Sequence, residues 1–77
     1  MRKVVVAVKV PDGFRWGSWR EDLERYDVMR CRNDDLTEEQ IAKKAAEKYV
    51  GTPIHFQKVA SIEEVDEPFF ANWGDIA

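Results

Sequence analysis

The stretch from Leu36 to Gly51, LTEEQIAKKAAEKYVG, decides the fold. Thr37 stands where an N-cap belongs: its hydroxyl can accept from the N–H of Gln40 while the Gln40 amide reaches back to the Thr37 backbone. Leu36 just outside and Ile41 just inside are spaced to pack as an apolar staple, which fixes the angle at which the chain enters the helix. Glu38 and Glu39 put negative charge at the positive end of the helix dipole, Lys48 puts positive charge near the other end, and Gly51 can take the left-handed conformation that ends a helix. At helical spacing Ile41, Ala42, Ala45, Ala46 and Tyr49 share one side, with Lys43, Lys44 and Glu47 mostly away from it. The spacing predicts a helix over 37–50 whose narrow, alanine-floored face packs on something flat, namely a small sheet.

Strands to build that sheet lie on both sides. Arg2 to Val10 alternates Val4, Val6, Val8 and Val10 with Lys3, Val5, Ala7 and Lys9, the period of a half-buried strand whose valine row faces the helix. Pro11-Asp12-Gly13 is a turn signal that ends it. In Phe14 to Asp27 the Ser18 to Glu21 capping pattern ahead of Trp19, Leu23 and Tyr26 predicts a short helix or helical turn in an 18–26 connection. Val28 and Arg30 against Met29 and Cys31 predict a second strand over Tyr26–Arg32, closed by Asn33-Asp34-Asp35. Pro53 to Ala60 reads as a third strand, with Ile54 and Phe56 on one side, His55, Gln57 and Val59 on the other, and Lys58 out of step. Ser61 to Glu64 is a further cap pattern that predicts one helical turn before Pro68. The fold class expected is α+β: a three-stranded, mainly antiparallel sheet with one main helix on one face.

With 77 residues the chain is expected to be one domain, residues 1–77, with an acidic, aromatic C-terminal tail over 66–77 packed on the domain or on a partner. The lone Cys31 rules out an intramolecular disulfide and a cysteine-built zinc site, which favours a reducing compartment, the cytoplasm. The apolar run Val4 to Val8 is too short for a signal peptide or a membrane span. Net charge is -3, but unevenly spread: eight Lys/Arg against five Asp/Glu up to Arg32, then four against ten. A basic front and an acidic back either attract each other within the fold or present opposite patches to partners.

No phosphate-cradling glycine loop, nucleophile elbow or metal-binding histidine pair is present in the sequence, and no cofactor or metal is expected. Cys31 with His55, oriented by Asp34 or Asp35, is the one conceivable nucleophile and base, against the plain reading of a buried small side chain and a histidine on a sheet face. Asp34, Asp35, Glu38 and Glu39 have the oxygen chemistry for Mg²⁺, but turn formation and the helix dipole already account for all four. Two segments carry more. The acidic aromatic end, with Glu63, Glu64, Asp66, Glu67, Phe69, Phe70 and Trp73, suits docking into a basic, apolar groove on another protein, unless Phe69 and Trp73 fold inward and the acids lie on the arginines. Arg15, Trp16, Trp19, Arg20, Arg30 and Arg32 offer flat rings and planar cations for stacking on single-stranded RNA or DNA, unless the tryptophans are core and the arginines pair with interleaved acids.

The expected function is a non-enzymatic protein-protein interaction module, an inhibitor or adaptor that occupies a surface of a larger protein or complex. A phage or mobile-element product that blocks a host nucleic-acid-handling machine would have this size and charge. The alternative is single-stranded nucleic-acid binding through the arginine and tryptophan segment, and a small enzyme built on Cys31 and His55 ranks third.

Overall fold

The valine row sets the frame of the molecule. In strand β1 (Arg2–Pro11) Val4, Val6 and Val8 are buried on one face while Lys3, Val5, Ala7 and Lys9 are half-buried on the other. A computed structural model of the chain describes residues 1–11 and 22–76. Within it β1 is the central strand of an open antiparallel sheet, flanked by β2 (Asp22–Cys31) and β3 (His55–Glu64) in the order β2-β1-β3. Helix α1 (Glu38–Glu47) connects β2 to β3 and covers the valine face, so the fold is α+β. Ile41 and Ala45 of the helix, with Tyr49 just beyond it, meet Val4, Val6, Val8, Met29 and Cys31 in one core. Each large aliphatic side chain fully buried there contributes about 1.5–3 kcal/mol.

The helix starts as its cap predicts. The Gln40 amide donates to Thr37 Oγ1 at 3.2 Å and the Thr37 amide to Gln40 Oε1 at 2.9 Å. Its end comes sooner than the expected residue 50, because the amides of Lys48, Tyr49 and Val50 bond carbonyls only three residues back and tighten the last turn. Gly51, at φ 82°, then turns the chain toward β3. Tyr49 nonetheless stays in the core.

Three expectations need correction. The helical turn placed over 18–26 does not run through its second half: residues 22–26 are strand, paired Pro11↔Asp22, Val10↔Leu23 and Ala7↔Tyr26 with β1, and 12–21 lie outside the described residues. Pairing with β1 along its whole length satisfies the backbone groups that face it and fixes the strand, which outweighs a local helical spacing of Leu23 and Tyr26. For the same reason Ser61 to Glu64 is strand, in register with Val5 to Arg2. Extra residues at Gln57 and Ala60 shift the β3 register twice, and these bulges explain the out-of-step pattern around Lys58. They bring Phe56, Val59 and Ile62 opposite Val8, Val6 and Val4, on the helix-covered face, so Val59 lies with Phe56 rather than across from it.

The chain closes by returning to the outer edge of β2. The Trp73 amide donates to the Val28 carbonyl at 3.1 Å, the Arg30 amide to the Gly74 carbonyl at 2.9 Å, and the Ile76 amide to the Arg30 carbonyl at 2.8 Å. Asp75 thus forms a parallel bridge with Arg30. Among the described residues no helix is long and apolar enough to cross a membrane.

Candidate functional site

Anchoring of the tail begins with a carboxylate in the core. Asp27 shares the β2 face of Met29 and Cys31 and is 0% exposed, yet all its bonds are made. Tyr49 Oη donates to Asp27 Oδ2 at 2.8 Å, Asn72 Nδ2 to Oδ1 at 3.1 Å, and Arg25 grips both oxygens at 2.8 and 3.1 Å. A buried carboxylate is tolerated only when paired and hydrogen-bonded in this way. Burial, then the hydrogen bond to Asp27, drives the Tyr49 hydroxyl far above its ordinary titration range, so it remains a donor at any physiological pH. Asn72 closes the connection by accepting from the Val28 amide at 2.6 Å. Trp73 stacks on Tyr49 with centroids 5.0 Å apart and planes 14° from parallel, and the Arg25 guanidinium lies 5.7 Å from the Trp73 ring centre.

A second anchor holds the tail on the sheet face away from the helix. Arg30 donates to Asp75 Oδ1 at 2.8 Å and to the Phe69 carbonyl at 3.0 Å, and its guanidinium lies 5.4 Å from the Phe69 ring centre, with Lys3 Nζ at 5.9 Å. Arg32 reaches the other oxygen of Asp75 at 3.2 Å. Partial desolvation raises the Asp75 titration point, but the hydrogen bonds from Arg32 and Arg30 outweigh it and hold the carboxyl below the ordinary carboxylate value.

Between these anchors the candidate residues separate into two sets. Trp73 and Phe69 are turned onto the domain, Glu64 accepts from the Met1 ammonium at 2.7 Å, and Glu63 lies across the sheet from Lys3. Asp66, Glu67 and Phe70 face outward, and Phe70 is 85% exposed. The turn that carries them is held at one end by the Val65 amide on the Met1 carbonyl at 2.9 Å and at the other by Arg30 on Phe69. A cleft of about 490 Å³ opens beside it, with Arg30 and Arg32 on one wall and Val65 to Pro68 on the other.

The nucleic-acid candidates are not gathered into one surface within the described residues. Arg30 and Arg32 are committed to Asp75, while Arg15, Trp16, Trp19 and Arg20 lie outside the described residues. Cys31 and His55 do not meet: Cys31 pairs with Arg2 at one end of β1 and is buried under the helix, whereas His55 pairs with Lys9 near the other end, about 23 Å along the strand and on the opposite face. Among the described residues no three histidine, cysteine or carboxylate groups are gathered so as to hold a metal ion, Asp34, Asp35, Glu38 and Glu39 included. No family model, no curated protein and no solved structure matches this chain.

Proposed function

We propose that this chain is a protein-binding module whose contact surface is the turn from Asp66 to Phe70, and that its partner presents a basic surface with an apolar pocket for the Phe70 ring. The observation that carries this reading is the 85% exposure of Phe70 on a turn fixed at both ends, between Phe69 and Trp73, which are turned inward. With the backbone of the turn already held, binding has only the few rotamers of an aromatic side chain left to order, the situation in which aromatic residues become interface hot spots. Asp66 and Glu67 beside it supply charge that would steer a basic partner and fix its orientation. Acting as an inhibitor or adaptor, the module works by occupying a site on a larger protein rather than by converting a substrate.

The test is affinity capture from the source cell's lysate, with and without nuclease, comparing the wild type with Phe70→Ala and with Asp66→Lys/Glu67→Lys. A protein held by the wild type despite nuclease and lost from both variants supports the reading, given unchanged circular dichroism. Equal capture by all three removes the turn as the contact surface. Capture that disappears on nuclease treatment instead directs attention to nucleic acid and to Arg15, Trp16, Trp19 and Arg20.

A further inference from the structure

Strand β3 is outermost on its side of the sheet: β1 occupies one of its edges, and among the described residues no backbone group pairs with the other. An open edge of this length is a template for another strand. Charges and bulges ordinarily blunt such edges, and β3 has both, in Lys58 and Glu63 and in the extra residues Gln57 and Ala60. Set against a second β3 running antiparallel, these features become complementary.

The bulge decides the register. Ser61 pairs with Val5 and Val59 with Val6, so Ala60 and Ser61 together fill one position of the ladder. On either side of that position stand Val59 and Ile62, both on the helix-covered face; beyond them stand Lys58 and Glu63, both on the open face. In a regular strand, residues an odd number apart point to opposite faces, and Lys58 and Glu63 could never meet across a two-fold axis. The bulge at Ala60 removes that obstacle. We propose that β3 pairs edge to edge with β3 of a second copy about a two-fold axis through the bulge. Lys58 then lies opposite Glu63 of the partner subunit, and Val59 opposite Ile62 of the partner subunit. The two open sheets join into one, and each charge that would repel a wrong strand in another register selects this one. The contact is separate from the Asp66 to Phe70 turn and is read on the purified chain with no other protein present.

Sedimentation equilibrium over a concentration series tests it. The wild type is expected to show a monomer-dimer equilibrium. Lys58→Glu places like charges opposite each other at two symmetric positions and weakens association about tenfold or more, and Glu63→Lys alone does the same. Combining the two restores opposite charges in exchanged places and recovers the wild-type constant within about twofold, a reciprocity that a nonspecific charge effect does not give. Both side chains are exposed, so the fold is retained, and circular dichroism verifies it. A wild type that stays monomeric at its highest soluble concentration overturns the proposal. So does a double exchange that associates as weakly as either single variant.

Discussion

The two outer edges of the sheet meet the same physical problem in different ways. Each presents backbone donors and acceptors that must find partners or water. At the β2 edge the chain supplies its own partner: residues 73–76 bond to Val28 and Arg30, held there by Asn72 on Asp27 and by Asp75 on Arg30. At the β3 edge there is no such cover among the described residues, only bulges and alternating charge. Covering an edge takes specific side-chain anchors as well as a length of chain, and those anchors draw Trp73 and Phe69 onto the domain. The acidic, aromatic end therefore serves first to complete the sheet. In the turn that precedes these anchors, Asp66, Glu67 and Phe70 stay turned outward.

Breaking the sealed edge at its deepest anchor should have the largest effect. Asp27→Ala removes the acceptor of Tyr49, Asn72 and Arg25 at once and leaves the buried Tyr49 hydroxyl without a partner. A loss of about 3 kcal/mol is expected in urea unfolding, toward the low end for a broken buried pair because Arg25 is 41% exposed. A loss under about 1 kcal/mol would mean that the Asp27 bonds hold the tail little, and that Trp73 packing, the backbone bonds to β2 and the Asp75 anchor suffice.

Trp73→Ala probes that packing directly. It removes the ring stacked on Tyr49 and under Arg25, at an expected cost of about 2 kcal/mol, less than for a fully buried tryptophan. Amide exchange at Arg30, whose N–H is bonded to Gly74, should speed up more than exchange at the β1 amides between the two strands. If both accelerate equally, the tail is part of the global folding unit and the two edges do not differ in local stability.

Why the sequence reveals the helix so fully and the tail so poorly follows from the range of the interactions. Thr37, Gln40 and Gly51 act on neighbours a few residues away, so cap and stop are visible in one window of sequence. The period of two in β1 is just as local. Asp27 was legible in part: alternation back from Met29 and Cys31 places it on the buried face, and a lone acid there requires donors. Which donors was not legible, because Tyr49 and Asn72 lie 22 and 45 residues away. A bulge likewise leaves only a broken alternation as its trace, and around Lys58 that trace suits a weak strand as well as a kinked one. Local helical spacing misled at Leu23 and Tyr26 because a long partner strand, far off in sequence, decided their conformation.

A smaller and more selective disturbance is pH. Because Asp75 titrates below its ordinary 3.8 when folded, its contribution to stability is fully present above that value and is lost as pH falls through the lowered folded value. Asp75→Asn should therefore lose stability at neutral pH and converge with the wild type in acid, an effect read from urea midpoints across a pH series. Parallel curves would show that Arg30 and Arg32 do not hold the tail through this charge.

The smallest effect on stability is expected where the comparison matters most for function. Phe70→Ala should change the unfolding free energy by no more than about 0.5 kcal/mol, since its ring is 85% exposed and forms no part of the core. Trp73→Ala, a few residues on, weakens the fold and would weaken any binding through the fold as well. A residue whose removal costs the fold nothing but abolishes capture of a partner would mark a surface retained for binding, because packing does not explain its presence. If capture falls only with Trp73→Ala and in proportion to lost stability, the turn is a by-product of sealing the β2 edge. The contact surface would then have to be sought on the open face of the sheet, around Val5, Ala7 and Tyr26, which the helix leaves uncovered.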